Sequence, residues 1–338
     1  MAKRILLTGG CGYIGSHTAV ALLESGWDVV IVDNLSNSDK SVKGRIEAIT
    51  GKKVKFVKGD STSRKTMEKV FKKYAPIYAV IHFAGYKAVG ESVTKPLEYY
   101  SNNLESAIET INAAINHNVM NFIFSSSATV YGDDNISPFK EDAKLSSLHP
   151  YGETKLIIEK ILSDISKANP KFRSVLLRYF NPVGAHESGL IGENPNGRPN
   201  NLMPYMTRVA TGKLDVLTVF GSDYDTKDGT CIRDFIHVMD IAEGHVAALE
   251  RIETLPENPC AINLGRGEGV SVKELLDTFN KITGGKCKAV YGERRKGDIA
   301  VSYASAEKAK LLLSWSAKRT VYDMCESAYN FEKIHSHQ

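Results

Sequence analysis

Six short apolar runs punctuate the first half of the chain: Arg4–Leu7, Asp28–Val32, Lys53–Val57, Ala79–Phe83, Asn121–Ser125 and Arg173–Leu177, each bounded by turn residues. Between them lie longer amphipathic stretches. Leu97, Tyr100, Leu104, Ile108, Ile111 and Ile115 recur at the three- and four-residue steps of one helix face. Short strands alternating with helices predict a parallel sheet covered on both sides, because each return path must lay its helix across a sheet face. From about Asn181 the texture changes. Residues 181–201 are rich in Gly, Pro and Asn, residues 221–229 form an acidic polar loop, and strand–helix units become sparse. A boundary near residue 180 is expected, with Val238–Arg251 (helical) and Ala261–Leu264 (strand-like) able to rejoin the first half.

The 338 residues suffice for two cores, and the formal net charge of +4 is small for that length. Such a balance predicts neither a nucleic-acid nor a membrane partner, since both call for concentrated basic stripes. Three apolar residues after Lys3 and Arg4 are too few for a secretory leader. Cys11, Cys231, Cys260, Cys287 and Cys325 are odd in number and widely spaced. That pattern disfavours disulfides and zinc, and reduced thiols in a cytoplasmic protein are expected. The polar tail from Ile334 to Gln338 is expected to fray.

Gly9, Gly12 and Gly15 follow the first strand and open the first helix at Gly-x-x-Gly-x-x-Gly spacing. A turn without Cβ atoms lets backbone N–H groups and a helix N-terminus approach a pyrophosphate. Glycine turns before helices are common, so the trio gains weight from Asp33, which closes the second strand eighteen residues after Gly15. A carboxylate there accepts from an adenosine ribose and repels a 2′-phosphate, which favours NAD over NADP. The fold class predicted is thus α/β, a Rossmann-type doubly wound parallel sheet with a smaller C-terminal α/β substrate domain: residues 1–180 for NAD and 181–338 for substrate. Asp60, ending the third strand, could meet the adenine amino group or stand as a solvated loop acid. Phe83, Ala84 and Gly85 end the fourth strand with mostly small residues beside which a cofactor could lie. His82 is assigned no chemistry. Cys11 could have its thiol pKa lowered by the helix N-terminus or simply fill the turn.

Tyr151 and Lys155 begin a helix after Pro150, and positions i and i+4 share a face. A phenol titrates near pH 10, about three units too high for a base at neutral pH. An adjacent ammonium, with a nicotinium nearby, is expected to lower that value, so that a tyrosinate can take a proton from a sugar hydroxyl. Tyr-x-x-x-Lys arises often by chance on helices. Here it follows the run Ser125–Gly132, which ends the fifth strand at the sheet's carboxyl edge, where α/β sheets bind ligands. Ser127 could hydrogen-bond the reacting hydroxyl.

Together these motifs resemble the extended short-chain dehydrogenase/reductase family, and among its branches the nucleotide-sugar 4-epimerases. The resemblance runs through Thr8–His17, Val32–Ser38, His82–Pro96, Phe122–Gly132, Tyr151–Lys155, Arg178–Ala185, Asn200–Tyr205, Asp228–Asp240 and Arg294–Asp298. It implies a fold that holds NAD through the three glycines with Tyr13, Ile14, Asp33, Asn34, Asn37, Ser38, Asp60, Ser61, Phe83, Ala84, Gly85, Lys87, Asn102, Ser125, Tyr179 and Phe180. It implies Tyr151 as base, Ser127 as its helper and Lys155 as the ribose-binding residue that lowers the phenol pKa. Asn181, Asn200, Asn201, Leu202, Phe220, Arg233, Arg295 and Asp298 fall where the family holds UDP and sugar, with Lys87 and Tyr179 on the sugar side as well. Arg233 and Arg295 suit forked bonds to a diphosphate. The activity implied is interconversion of UDP-galactose and UDP-glucose through a 4-keto sugar with NAD kept bound, by a homodimer and without a metal. The apolar stripes on Leu97–Ile115 and Leu156–Ile165 suit either a dimer seam or the sheet face.

Two positions depart from the family pattern. Lys296 replaces an acid between the second arginine and the glycine of Arg294-Arg295-Lys296-Gly297-Asp298. Ser302 falls, after a one-residue gap, where some members carry a bulky tyrosine beside the sugar's C2; Tyr303 is the alternative occupant. A small residue there predicts room for an N-acetyl group, and hence for UDP-GlcNAc and UDP-GalNAc. Three other readings compete. A 4,6-dehydratase or decarboxylase needs an acid before Val130-Tyr131-Gly132, where Ala128 and Thr129 stand. A simple dehydrogenase would release NADH with each turnover. A non-catalytic dinucleotide sensor would have little need of the Tyr151, Lys155 and Ser127 set.

Overall fold

In the first strand Ile5 and Leu7 pack into one core while Leu6 packs into another. Successive strand residues point to opposite faces, so a run apolar on both faces is a strand covered on both sides. The computed structural model describes residues 3–295 and 297–336. Strands β1 (Arg4–Thr8), β2 (Asp28–Asp33), β3 (Lys55–Lys58), β4 (Ala79–His82), β5 (Asn121–Ser127) and β6 (Arg173–Tyr179) join Cys260–Leu264 in one seven-stranded sheet. Its order is Cys260–Leu264, β6, β5, β4, β1, β2, β3, and every neighbouring pair is parallel. The order reverses between β1 and β4, which opens a crevice at the carboxyl ends of the strands. This is the doubly wound Rossmann-type sheet that the alternation predicts.

Helices α1 (Tyr13–Glu24) and α2 (Ser41–Thr50) lie on one face, where α1 packs on Val238–Arg251. On the other face α3 (Arg64–Tyr74), α5 (Pro96–Asn116) and α6 (Pro150–Ala168) pack side by side, and the short α4 (Val89–Thr94) leads into α5. The third strand opens at Lys55, later than its apolar pattern predicts, because the Val54 amide donates to the Glu47 carboxylate instead of to a neighbouring strand.

Most of the remaining segments form a second layer with its own core around Met206, Leu217, Phe235, Leu275, Phe279 and Met324, while Ala309 and Leu313 of the helix Glu307–Leu313 pack into the core of the main sheet. Within the stretch rich in Gly, Pro and Asn, Asn181–Val183 pairs in parallel with Phe235–His237, a strand that sequence pattern misses because three residues have no period to read. Two further small sheets pair Ala289–Gly292 with Leu217–Phe220, and Val270–Ser271 and Val301–Ser302 with Ile232–Arg233. The last helix, Val321–His335, holds Ile334 and His335, which were expected to fray; the His335 ring bonds back to the Phe331 carbonyl at 2.8 Å. His337 and Gln338 lie outside the described residues. No helix among the described residues is long and apolar enough to cross a membrane. All five cysteines are buried and unbridged.

Candidate active site at the switch point of the sheet

The glycine turn occupies the crevice between β1 and β4. Gly9 adopts φ +68°, and a Cβ on it would lie 2.8 Å from the Ala84 nitrogen. A Cβ on Gly15 would lie 2.5 Å from the Gly9 carbonyl oxygen, so α1 approaches the turn closely only because both positions lack side chains. Gly12 is the N-cap of α1, where no side-chain oxygen covers the first amides and no acid stands in the first turn. That leaves the positive end of the helix open to an anion.

Asp33 is buried and fixes the turn: its carboxylate accepts from the Cys11 amide at 2.9 Å, the Leu35 amide at 2.8 Å and the Ser38 hydroxyl at 2.9 Å. Leu35 is held at φ +63°, an uncommon conformation for a branched side chain. Asn37 is exposed on the same loop, and the Asn34 amide donates to Asp60 at 3.1 Å. Burial pushes the Asp60 carboxyl up, but bonds from the Thr62 amide, the Asn34 amide and the Thr62 hydroxyl outweigh it and hold the group below the ordinary carboxylate range. Ser61 turns its hydroxyl to Ser106 at 2.6 Å. The Cys11 thiol is pushed up to about 12 by burial, with the charges of Asp33 and Asp39 adding to it. The lowered value considered from sequence does not occur, and Cys11 fills the turn.

At the other lip of the crevice, β5 ends in Ser125–Ser127 and α6 begins. His149 caps α6, its Nδ1 accepting from the Gly152 amide at 3.0 Å, and its ring stacks on Tyr151 with centroids 5.9 Å apart. The Lys155 ammonium donates to the Ser125 carbonyl at 2.7 Å and lies 5.7 Å from the centroid of the Tyr151 ring. Burial lowers the Lys155 pKa to about 8, against the opposing charge of Glu159. Burial raises the Tyr151 phenol above its ordinary value, and the Ser127 hydroxyl pulls it the other way. Desolvation thus outweighs the ammonium in the protein alone, and the lowering expected from the sequence counts the cofactor's positive ring as well.

Asn102 donates to the side chain of Asn103 at 3.0 Å. Asn103, buried, accepts from the Tyr86 amide at 2.7 Å and donates to Thr154 on α6 at 3.1 Å, so it ties the Gly85 loop to the catalytic helix. The Tyr179 hydroxyl bonds to His245, whose other ring nitrogen meets the Ile241 carbonyl, and Phe83 lies against the same His245 ring. Phe180 packs with Val130, Tyr131 and Phe139. Asn103 and His245 escape sequence analysis because each works through contacts across elements; His149 is a local cap of α6, but histidine is not among the usual N-cap residues.

Tyr13 donates from the first helix to the Gly184 carbonyl at 2.6 Å, while Ile14 beside it packs on the core. Lys87 pairs with Glu193 at 2.9 Å, and Asn201 donates to the same carboxylate oxygen at 2.6 Å. Asn200 is exposed, and Leu202 begins the helix Leu202–Ala210. Asn181 donates to the Asp234 carbonyl at 3.1 Å. Farther out, the Arg295 guanidinium lies 4.3 Å over the Phe220 ring, which is 40% exposed, and Arg233 approaches Asp298 at 3.6 Å. Ser302 pairs in register with Arg233, whereas a Cβ on Gly269 would lie 3.3 Å from the Tyr303 ring. Lys296 lies outside the described residues. An open helix N-terminus, a side-chain-free turn and a buried acid one strand away together fit a dinucleotide.

The NAD-dependent epimerase/dehydratase family matches residues 5–265 of this chain. The UDP-glucose 4-epimerase of Bacillus subtilis is 51% identical over 328 residues, covering 97% of this chain and 96% of that protein. Among solved structures, UDP-glucose 4-epimerase from Bifidobacterium longum in complex with NAD+ and UDP superposes with a TM-score of 0.94 at 48% identity, covering 99% of each chain. The enzyme from Stenotrophomonas maltophila, with bound NAD and formylated UDP-arabinopyranose, gives 0.96 at 45% identity, again over 99% of each chain. With a glycine turn, Asp33 and the Tyr151–Lys155 pair assembled at one sheet edge, and half of its residues shared with such relatives, this chain belongs to the NAD-dependent epimerase/dehydratase family.

Proposed function

We propose that this protein interconverts UDP-galactose and UDP-glucose by inverting C4 of the sugar, using NAD that stays bound through the cycle. The observation that carries the reading is the convergence of Tyr151, Ser127 and Lys155 beside the glycine turn, in a chain 51% identical to a UDP-glucose 4-epimerase over nearly its full length. Gly9, Gly12 and Gly15 with the α1 amides would hold the pyrophosphate, and Asp33 the adenosine ribose. Bound NAD supplies the acceptor that takes hydride from C4 and returns it. Tyr151 takes the proton of the 4-hydroxyl at its phenolic oxygen as the 4-keto sugar forms, and returns it to that same sugar oxygen when C4 is reduced from its opposite face. Ser127 donates to the phenolic oxygen, and the Lys155 ammonium with the cofactor's positive ring offsets the desolvation that raises the phenol. Arg233 and Arg295 grip the diphosphate, and Phe220 offers a face to the uracil. Residues 1–180 chiefly serve the cofactor and 181–338 the uridine sugar.

The protein acts as a cytoplasmic homodimer in this reading. Val93, Leu97 and Ile108 are exposed on α4 and α5, Leu97 to 82%, and buried unbridged thiols suit a reducing compartment. The test is to incubate purified protein with UDP-galactose and no added NAD, and to follow the sugar by proton NMR. UDP-glucose appearing at equilibrium supports the reading. A 4-keto-6-deoxy product, stoichiometric reduced nicotinamide, or unchanged substrate overturns it.

A further inference from the structure

Tyr151, Lys155 and Glu159 stand at i, i+4 and i+8 on α6, one above another on the same face. Glu159 is buried, with 6% of its side chain exposed, although nothing in the reaction requires a carboxylate there. One of its oxygens accepts from the Ser126 hydroxyl and from Arg178 Nε at 3.0 Å; the other accepts from Arg178 Nη2 at 2.7 Å. Ser126 is the neighbour of Ser127 on β5, and Arg178 the neighbour of Tyr179 on β6. Arg178 continues to the Tyr131 hydroxyl and the Glu141 carbonyl, each at 3.0 Å, and Tyr131 reaches Asn263 on the last strand of the sheet at 2.6 Å. A single carboxylate thus ties the helix that carries the base to the strand that carries its helper.

We propose that Glu159 is a positioning residue for the Tyr151–Lys155 pair, fixing α6 against β5 and β6 and setting a negative charge one turn beyond the Lys155 ammonium. This rests on the epimerase reading above. Two physical consequences follow. A buried bidentate pair has one arrangement, so the phenol cannot drift from Ser127 as α6 slides. The ammonium, stripped of water, also keeps one anion near it. Also facing Lys155 are Tyr151 on its own helix, the Phe124 ring at 4.8 Å and the Ser125 carbonyl on β5, and His82 on β4, while Tyr179 on β6 faces Tyr151. Among these only Glu159 opposes the burial that lowers Lys155.

The test compares the wild-type holoenzyme with Glu159→Gln and with the double variant Glu159→Leu/Arg178→Met. The double variant removes the charge pair without leaving an unpaired arginine, and apolar replacement of a buried pair often preserves folding. Both variants are expected to keep bound NAD and the KM for UDP-galactose, to lose about a hundredfold in kcat, and to shift the alkaline limb of kcat to lower pH by about one unit. A folded, NAD-loaded double variant with wild-type kcat and pH profile would overturn the proposal. So would a loss of kcat with the alkaline limb unmoved, which would mark the pair as fold support alone. Failure of the wild-type protein to epimerise would instead overturn the functional reading.

Discussion

The Lys155 ammonium donates its short bond to the Ser125 carbonyl, not to the phenol of Tyr151, whose ring centroid lies 5.7 Å away. The lysine therefore acts on the tyrosine through space, and both groups sit where water is excluded. Neither has its ordinary acidity: Tyr151 is raised and Lys155 is lowered to about 8, each by burial first.

Replacing Tyr151 by Phe removes the group that moves the proton and leaves the ring stacked on His149. The expected loss in kcat is about 10²- to 10⁴-fold, with NAD content and KM little changed. Lys155 is cationic below its lowered pKa and neutral above it, so kcat should fall as pH rises through about 8. A pH–kcat profile flat to pH 10, well past that value, would contradict this assignment of the lysine.

Gly15→Ala should damage the cofactor end alone. Its Cβ would stand 2.5 Å from the Gly9 carbonyl and 2.8 Å from the Gly10 Cα, both backbone atoms that cannot swing aside. Overpacking of this kind costs about 1–3 kcal/mol. The variant is expected to melt several degrees lower and to purify with little NAD, measured by thermal unfolding and by absorbance of the released nucleotide. Normal NAD content would show that the turn is not where the pyrophosphate sits.

Four of the five buried histidines should make the fold strongly acid-sensitive. Burial lowers His17, His82 and His237 to about 3 and His245 to about 4. Unfolded, each takes a proton near pH 6.5; folded, each stays neutral. Their contribution to stability is complete above about pH 6.5 and falls away as pH drops towards 3–4, by about 1.4 kcal/mol per pH unit for each histidine. Tm is expected to fall steeply between pH 6 and 4, and His17→Gln or His237→Gln should flatten that slope. An unchanged slope in both variants would locate the sensitivity elsewhere.

Ser302 pairs with Arg233, and paired positions on neighbouring strands present their side chains to the same face. The wild-type protein is expected to epimerise UDP-GlcNAc as well as UDP-glucose. Ser302→Tyr should lose the N-acetylated pair by more than about tenfold while keeping the plain hexoses, since filling a pocket discriminates by that order. Wild-type activity confined to unsubstituted sugars would refute the idea.

Much of this was legible in the chain itself. Short apolar runs and three-to-four-residue periodicity are local, and they foretold the parallel sheet, the helix α5 and the helix bearing Tyr151 and Lys155. The glycine spacing and Asp33 likewise declared a dinucleotide turn, because backbone freedom and a strand-end carboxylate are written in adjacent residues. What the tertiary structure decided were relationships between distant elements. Asn103 ties the Gly85 loop to α6 across fifty-one residues of sequence, His245 receives Tyr179 across sixty-six, and Glu159 meets Arg178 across nineteen. The acidities of Tyr151 and Cys11 belong to the same class. They turn on how much water the fold removes, and desolvation is a property of the packed assembly that no stretch of sequence carries.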